Sequence, residues 1–314
     1  METNNFGIVI HGGAGTILKS EMTPEKEQAY LEGLTSALNG AYEVLDYGGT
    51  ALSAVEAAII ILENNPLFNA GRGSVFNALG KHEMDASIMD GETLHAGAVA
   101  AVPNLKNPIS LAAKVLSDSD HVLLMGEGAK EFASGFNIKF ESDEYFYDEH
   151  RFAQWQKIKG SDNFQLDHSK EETKKYLGTV GAVALDQHGN LAAGTSTGGM
   201  TNKKFGRIGD SAIIGAGTYA NNETCAVSCT GSGEYFMRAV TAYDASCRMQ
   251  YKGLSLDAAV KEAIMDRMTE IGGDGGLISI DAKGNISMPF NCEGMYRAFK
   301  NKKEQVVKIY KDEK

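Results

Sequence analysis

Proline and cysteine are scarce in this sequence. Its 314 residues include 5 prolines and 4 cysteines, although 36 residues are glycine. Collagen-like and disordered chains combine abundant glycine with abundant proline or with a strict repeat, and neither occurs here. Four cysteines are also too few for a disulfide framework in a chain of this length. We therefore expect a folded protein with free thiols, in the reducing cytoplasm.

Long apolar runs and a basic surplus are missing as well. No stretch approaches the ~18 apolar residues of a membrane-spanning helix, and the first ten residues have neither the basic nor the apolar region of a signal peptide. The 41 acidic residues outnumber the 30 basic ones, so the net charge is −11. Nucleic acids and anionic membranes bind basic surfaces. We expect neither as a partner.

The common metal and nucleotide motifs are also lacking. His82-Glu83-Met84-Asp85 has no second histidine one helical turn away, and Gly231-Ser232-Gly233 lacks the third glycine of a dinucleotide-binding loop. Cys225 and Cys229 alternate with small residues as in a strand, which favours buried thiols over metal ligands. The seven histidines are scattered singly. A catalyst in this chain would need a base other than histidine.

Helical and strand patterns alternate along the chain. Thr23-Pro24 and Thr50 are typical N-terminal caps of amphipathic helices. Two Asp-x-x-Gly-Asn turns, at Asp186 and Asp281, predict β-hairpins. The acidic and charged stretch 141–178 has little apolar periodicity, which predicts a solvated linker or tail. Strand patterns also occupy the segments 6–11, 85–90 and 96–102, and further helical patterns occupy 109–117, 127–134, 233–251 and 255–271.

The densest polar residues follow in the second half. Thr195-Ser196-Thr197 ends a predicted strand, Arg207 and Asp210 lie three residues apart, and Thr230-Gly231-Ser232-Gly233 joins a strand to a helix. Each group by itself fits a plain structural role, as a turn cap, a local ion pair or a close-packed joint. Together they offer a guanidinium for a carboxylate, a carboxylate for an amine, and N–H donors for an oxyanion. This combination suits an anionic α-amino-acid ligand.

An ordered set of motifs resembles the isoaspartyl peptidase/L-asparaginase family, the plant-type asparaginases among the N-terminal-nucleophile hydrolases. The resemblance covers nearly the whole chain. Cys292 stands where a hydroxyl residue is common, and Arg72 where a smaller residue often follows the glycine. The motifs are His11-Gly-Gly-Ala-Gly15, Pro66-Leu-Phe-Asn-Ala-Gly71, Met84-Asp-Ala-Ser-Ile-Met-Asp-Gly91, Gly178-Thr-Val-Gly-Ala-Val-Ala-Leu-Asp186, Gly194-Thr-Ser-Thr-Gly-Gly199, Gly206-Arg-Ile-Gly-Asp210, Thr230-Gly-Ser-Gly-Glu234 and Pro289-Phe-Asn-Cys-Glu-Gly-Met295.

The resemblance implies an α+β fold, a four-layer αββα sandwich formed by one domain over residues 1–314. It further implies self-cleavage between Gly178 and Thr179, where the glycine would tolerate a strained backbone. The products would be an alpha subunit, 1–178, with 141–178 as its flexible tail, and a beta subunit, 179–314. A homodimer of cleaved protomers is expected.

The resemblance also assigns site roles. Thr179 would be the nucleophile, with its own freed α-amine as the base, and Thr197 would orient it. Thr230 and Gly231, assisted by Asn69, would form the oxyanion hole. Arg207 would bind the substrate α-carboxylate. The α-ammonium would be held by Asp210 with the carbonyl groups of Gly231 and Gly233.

No cofactor is expected for the chemistry, but one loop resembles the sodium-binding loop of the family. A plain helix C-terminus with free carbonyl groups is the alternative interpretation of this segment. The ion would be structural and would hold Asn69 in place. Its expected ligands are the backbone carbonyl groups of Leu62, Glu63, Asn65, Phe68, Ala70 and Arg72.

The resemblance therefore predicts hydrolysis of β-aspartyl peptides and of the side-chain amide of L-asparagine. Two alternatives remain at this point. A glycosylasparaginase would share the nucleophile and the aspartyl-binding groups, although no signal peptide or disulfide framework accompanies them here. An unprocessed, catalytically silent precursor-like protein that binds aspartate would retain every binding residue.

Overall fold

The computed structural model describes residues 5–160 and 178–311. Twelve strands and nine α-helices lie within these ranges, together with short 3-10 turns and one π-helical segment. The strands are β1 (Gly7–Gly15), β2 (Glu83–Asp90), β3 (Ala96–Pro103), β4 (Leu123–Met125), β5 (Val180–Leu185), β6 (Leu191–Thr197), β7 (Thr218–Ala220), β8 (Cys225–Gly231), β9 (Gly275–Asp281), β10 (Ile286–Ser287), β11 (Gly294–Asn301) and β12 (Gln305–Tyr310). The helices are α1 (Pro24–Asp46), α2 (Ala51–Glu63), α3 (Pro108–Asp118), α4 (Gly126–Ala133), α5 (Asp143–Phe146), α6 (Glu149–Ile158), α7 (Gly233–Ala239), α8 (Thr241–Lys252) and α9 (Leu256–Lys261).

The first two helices begin at the caps that the sequence predicts. The Thr23 hydroxyl accepts a hydrogen bond from the Lys26 amide at 3.2 Å, and Pro24 takes the first helical position. The Thr50 hydroxyl accepts one from the Ser53 amide, also at 3.2 Å. Each cap satisfies an N–H group that has no partner inside the helix. Both helices then bury their apolar faces on the larger sheet.

The strands form two sheets. The larger has eight strands in the order β12-β11-β1-β5-β6-β2-β3-β4, antiparallel except for the pair β3–β4. The smaller has four strands in the order β10-β9-β8-β7. Both predicted hairpins are confirmed: β5–β6 turns at Gly189 (φ 88°) and β9–β10 at Gly284 (φ 80°). Strand β5 is central, which brings the residue before it, Thr179, to the middle of the larger sheet.

Buried apolar side chains form three groups that separate these elements. One group lies between α1–α3 and the larger sheet, and includes Val55, Ile59 and Ala182. A second lies between the two sheets, and includes Val183 and Ile278. The third lies between the smaller sheet and the helices α8 and α9. The molecule is therefore a mixed α/β fold with two sheets and flanking helices.

Cys225 and Cys229 are buried on β8, as the alternation predicts, and burial raises the pKa of the Cys225 thiol to about 12. None of the described helices has the length and apolar composition needed to cross a membrane.

The predicted tail 141–178 is partly helical. Residues 143–158 form α5 and α6, because aromatic side chains hidden among the charges find partners in the core. Phe146 is buried, and Trp155 stacks on Phe76 with ring centroids 5.7 Å apart. Asn202 donates a hydrogen bond to the Ile158 carbonyl at the end of α6. Residues 161–177 of the predicted tail lie outside the described ranges.

The predicted helix 233–251 is interrupted. Val240 has a φ of 50°, which ends α7 and starts α8 in a new direction. The first amide groups of α8 are satisfied by the preceding loop, where Tyr243 donates to the Gly215 carbonyl at 2.8 Å. The predicted helix 255–271 forms α9 and then widens into a π-helical segment, Glu262–Met268.

Candidate active site

Thr197 lies between the hydroxyl group of Thr179 and the carbonyl group of Gly178. The β5–β6 ladder pairs Val180 with Ser196, which sets Thr179 and Thr197 side by side. The Thr179 hydroxyl donates to Thr197 Oγ1 at 3.3 Å, and the Thr197 hydroxyl donates to the Gly178 carbonyl at 3.1 Å. The Gly199 amide donates to Thr197 Oγ1 at 3.0 Å and fixes it. One buried hydroxyl thus contacts the predicted nucleophile and the predicted scissile carbonyl. The backbone strain expected at Gly178 involves its bond to Leu177, which lies outside the described ranges.

Asn69 holds the turn that follows Thr197. Its side-chain amide donates to the Gly199 carbonyl at 2.7 Å, its Oδ1 accepts from the Val75 amide, and its carbonyl accepts from the Gly198 amide. A Cβ atom at Gly198 would lie 2.6 Å from Asn69 Oδ1, so a side chain there would disrupt this contact. Asn69 therefore supports the Thr197 side of the site. Its predicted part in an oxyanion hole stays a prediction.

Thr230 and Gly231 end β8, next to the start of α7. Thr230 is fully buried, and its hydroxyl oxygen accepts a hydrogen bond from the Ala14 amide at 3.3 Å. A Cβ atom at Gly231 would lie 2.3 Å from the Phe236 ring and 2.5 Å from the Asp274 carbonyl oxygen. The packing at this joint requires glycine. It brings a hydroxyl and the backbone of a strand end to one place, as an oxyanion hole needs.

Arg207, Asp210 and Gly233 border one small space. A Cβ atom at Gly233 would lie 2.9 Å both from Arg207 Nη2 and from Asp210 Oδ1. Asp210 begins a 3-10 turn, Asp210–Ala212, and is 5% exposed. The structure thus joins the predicted carboxylate-binding and ammonium-binding groups, and the missing side chain of Gly233 leaves room between them.

The Asp210 carboxyl group is buried, and one of its oxygens has no partner among the described residues. Burial raises its pKa to about 7, while the nearby positive charge of Arg207 opposes the shift. Its Oδ2 is buried and accepts no hydrogen bond from any residue of the described ranges. A buried carboxylate without a partner is costly. A bound ammonium group would supply the missing partner.

Glu234 is a neighbour of Arg207 to which the sequence interpretation gave no role. Its carboxylate binds the guanidinium group side-on, with Oε1 2.9 Å from Nε and Oε2 3.0 Å from Nη2. Neither of these two bonds uses Nη1. The pair is separated by 27 positions, so no local spacing rule could have indicated it. Glu234 thus holds the plane of the guanidinium group, and the binding of a substrate carboxylate at the outer edge, toward Nη1, stays a prediction.

A buried ion pair lies behind these groups. Lys203 Nζ is 4.0 Å from Asp85 Oδ2 and donates to the Glu83 carbonyl at 2.9 Å, with both charged side chains 1% exposed. Burial raises the pKa of Asp85, and the charge of Lys203 opposes that shift. Asp85 pairs with Thr197 across the β2–β6 ladder. The pair thus anchors the strand beside Thr197.

The predicted ion loop follows α2, which ends at Glu63. A Cβ atom at Gly73 would lie 2.0 Å from the Phe68 carbonyl oxygen and 2.6 Å from that of Pro66, and one at Gly71 would lie 2.7 Å from that of Glu63. Carbonyl oxygens therefore crowd around glycine backbone, and such oxygens suit a hard cation. Within the described ranges no cluster of three or more His, Cys, Asp or Glu side chains could hold a metal. The sodium ion, with backbone carbonyl groups of this loop as its ligands, stays a prediction.

The Glu63 side chain, which the sequence interpretation did not use, ties this loop to the active-site strand. Its carboxyl group accepts hydrogen bonds from the Ser196 hydroxyl at 2.7 Å, the Ile109 amide at 3.0 Å and the Asn107 side chain at 3.1 Å. Burial raises its pKa to about 8, against the effect of these donors. Glu63 thus connects the loop, the start of α3 and the residue next to Thr197.

Known proteins of one family resemble this chain over nearly its whole length. Residues 4–309 match the family model described as "Asparaginase". The chain is 48% identical over 299 residues to an isoaspartyl peptidase of Salmonella typhimurium, covering 94% of this chain and 95% of that protein. It is 49% identical to an isoaspartyl peptidase of Escherichia coli (93% and 92% covered) and 45% identical to a plant-type L-asparaginase of Pyrococcus abyssi (93% and 95% covered). On the extent of the family match and of these identities, the chain belongs to the asparaginase family.

Proposed function

We propose that this protein is an isoaspartyl peptidase and L-asparaginase that acts through Thr179 after cutting its own chain. The names of the relatives support the substrate class. The single observation that carries the proposal is the hydrogen-bonded set of Thr179, Thr197 and the Gly178 carbonyl. It couples one nucleophile to the one peptide bond whose cleavage would free its α-amine.

This geometry supports self-cleavage, in the following steps. Thr179 Oγ1 attacks the Gly178 carbonyl carbon while the Thr197 hydroxyl donates to the carbonyl oxygen, where negative charge develops. The Thr179 nitrogen takes up the proton that the hydroxyl loses and leaves as an amine, so the acyl group moves from nitrogen to oxygen. Water then hydrolyses the ester. The products are fragments of 178 and 136 residues (314 − 178 = 136).

In the mature site the freed α-amine of Thr179 serves as general base for the Thr179 hydroxyl. The α-carboxylate of the substrate binds the outer edge of Arg207, and its α-ammonium binds Asp210 with the Gly231 and Gly233 carbonyl groups. Thr179 Oγ1 attacks the β-carbonyl carbon and releases ammonia or an amino acid. Thr230 and the Gly231 amide, with Asn69, stabilise the oxyanion. Water then hydrolyses the β-aspartyl ester and releases aspartate.

Three further proposals are supported by features of the described residues, and a fourth by analogy. The three buried apolar groups separate helices, sheet, sheet and helices, which supports a four-layer αββα sandwich formed by one domain. The crowded carbonyl groups around Gly71 and Gly73 support a structural sodium ion. The four unpaired cysteines support a cytoplasmic location. We also propose a homodimer of cleaved protomers, by analogy with the family.

The test combines processing with activity. Purified protein should separate under denaturing conditions into two fragments, and the second should begin Thr-Val-Gly-Ala. It should hydrolyse β-aspartyl-leucine and L-asparagine. Thr179→Ala should remain intact and inactive, while Thr224→Ala removes another buried threonine hydroxyl, bonded to Ser246, and should be processed normally. An intact, inactive wild type would refute the proposal, and faster cleavage of a glycosylated asparagine would reassign the substrate.

A further inference from the structure

His11 is the histidine that lies against the proposed nucleophile residue. It sits on β1, is fully buried, and points from the larger sheet toward the smaller one. Its Nδ1 is 3.1 Å from the Thr179 carbonyl oxygen, and its Nε2 is 3.0 Å from Ser228 Oγ on β8. The imidazole ring therefore spans the space between β5, which follows Thr179, and β8, which ends with Thr230 and Gly231. The proposed mechanism gives it no role.

Gly181 makes this bridge sterically possible. The β1–β5 ladder pairs His11 with Gly181. A Cβ atom at Gly181 would lie 2.0 Å from Ser228 Oγ and 2.4 Å from His11 Nε2, at the position of the hydrogen bond itself. Atoms without a bond between them do not approach so closely. The residue two places after Thr179 thus has no side chain where His11 and Ser228 meet.

Hydroxyl groups extend the bridge to the Asp210 turn. Ser228 Oγ is 2.7 Å from Thr195 Oγ1, and Thr195 Oγ1 is 2.6 Å from Thr218 Oγ1. Ser87 Oγ is 2.8 Å from Thr218 Oγ1 and 2.6 Å from the Ser211 carbonyl oxygen. All of these side chains are fully buried, apart from Ser211 at 1% exposed. Both ends of this set of contacts are carbonyl oxygens, which only accept, so a neutral ring and four hydroxyl groups cannot make all of the contacts hydrogen bonds at the same time.

The direction of the hydrogen bonds follows from the acceptor at the Thr179 end. A carbonyl oxygen only accepts, so His11 carries its proton on Nδ1 and donates it there. Burial lowers the pKa of His11 to about 3, so the ring is neutral and Nε2 keeps its lone pair. Ser228 must then donate to Nε2, and it accepts in turn from Thr195. The His11 ring has no free lone pair left for a proton of the reaction.

We propose that His11 is a positioning residue for Thr179, held in place by Ser228. It fixes the carbonyl group of the nucleophile residue, and Ser228 fixes the ring. The inference rests on the proposed role of Thr179 as nucleophile. His11 acts through hydrogen-bond donation and packing, and it does not serve as a base.

Two pairs of variants test this role. His11→Asn places an amide donor near the Nδ1 position, so it keeps the hydrogen bond to the Thr179 carbonyl and loses the one to Ser228. His11→Gln reaches toward Ser228 and loses the hydrogen bond to the Thr179 carbonyl. Ser228→Ala removes the support of the ring. Ser279→Ala is its matched control, since Ser279 is equally buried in the adjacent strand and its hydroxyl donates to the Ser287 carbonyl group.

Processing, kcat and KM are measured for the wild type and all four variants, with kcat corrected for the processed fraction. We expect Ser228→Ala to lower kcat about tenfold, the effect of one well-placed hydrogen bond, with KM within about twofold. Ser279→Ala should match the wild type, and His11→Asn should retain more kcat than His11→Gln.

The outcomes separate the two proposals. Equal kcat values in Ser228→Ala and Ser279→Ala would overturn the positioning role. Both variants lose a buried hydroxyl group, so a general loss of stability would affect both, whereas the loss of positioning would lower kcat in Ser228→Ala alone. Equal kcat in His11→Asn and His11→Gln overturns it as well. Failure of the wild type itself to process or to hydrolyse substrate would instead refute the proposed function.

Discussion

The hydroxyl group of Thr197 accepts a hydrogen bond from the hydroxyl group of Thr179 and donates one to the carbonyl group of Gly178. Thr197→Val keeps the shape of the side chain and removes both interactions. We expect self-cleavage to slow by at least about 100-fold, the cost of losing an oxyanion donor in other enzymes. Gel electrophoresis of samples taken over days after purification measures this rate. Thr197→Ser, which retains the hydroxyl, should restore cleavage, and normal processing of the valine variant would contradict the role.

The side-on pairing of Glu234 with Arg207 predicts an effect on substrate affinity. Glu234→Gln weakens the contact that sets the plane of the guanidinium, so KM should rise roughly tenfold while kcat stays within about twofold. Arg207→Lys should raise KM further, because an ammonium cannot bind both carboxylates through a planar edge. Steady-state kinetics with β-aspartyl-leucine measure both. An unchanged KM in Glu234→Gln would mean that the guanidinium is held without it.

The pKa of about 7 for Asp210 predicts a pH-dependent KM. Burial raises this pKa above its usual value, so the group becomes neutral as the pH falls below 7 and loses its attraction for an ammonium group. KM should therefore rise as the pH falls from 8 to 6. Asp210→Asn should have a high KM without this dependence. The acid limb of kcat, which reflects the Thr179 α-amine with a reference pKa of ~7.7–8.0, should persist in the variant. A pH-dependent KM that survives in Asp210→Asn would assign the effect elsewhere.

The burial of His82 predicts that its contribution to the free energy of unfolding depends on pH. Burial lowers its pKa to about 4, so below pH 6.5 the unfolded chain takes up a proton that the folded chain does not. The stability that the neutral ring provides is complete above pH 6.5 and is lost as the pH falls toward 4. The destabilisation by His82→Gln should therefore shrink by up to about 1.4 kcal/mol per pH unit below 6.5.

Denaturant unfolding at pH 7.5 and pH 5.0 measures this difference, with the exposed His188→Gln as a surface control. Glu63 and Asp210 have raised pKa values and act in the opposite sense, since their contributions are lost as the pH rises. The test is therefore the difference in the free energy of unfolding between the wild type and His82→Gln at each pH. The pH profile of the wild type alone combines all of these groups and does not isolate His82. A penalty for His82→Gln that is the same at both pH values would contradict it.

The carbonyl-lined loop after α2 predicts that sodium stabilises the protein. Thermal unfolding in sodium chloride should occur at a higher temperature than in tetramethylammonium chloride of equal ionic strength, because the larger cation does not fit among backbone carbonyl groups. The increase should saturate with sodium concentration, as binding to one site requires. Identical melting temperatures in the two salts would argue for a plain helix C-terminus.

Local patterns predicted the elements whose determinants are local. Thr23-Pro24, Thr50 and the glycines at 189 and 284 each act on their own few neighbours, and each has the predicted conformation. The break at Val240 depends instead on carbonyl groups of the loop at Gly215, and the helices of the segment 143–158 depend on aromatic partners such as Phe76. The two partners in each of these contacts lie too far apart in the sequence for a local pattern to include both.

The same distinction applies to the site. Motif resemblance supplied Arg207, Asp210 and Gly233, and the structure brings them together. It did not indicate the contacts of Glu234 with Arg207 or of His11 with Ser228, which join residues 27 and 217 positions apart. These contacts are created by strand order and by glycines that leave space, so they become visible only in the folded chain.

The strand order has a consequence for the cleavage proposed between Gly178 and Thr179. Strand β1 belongs to the first fragment but lies between β5 and β11 of the second, and β2 pairs with β6 across the same boundary. The two fragments are therefore interleaved through three continuous ladders. They can separate only if the central sheet is dismantled, so dissociation and unfolding become one event. A protein cleaved as proposed would therefore withstand dilution as a single molecule does.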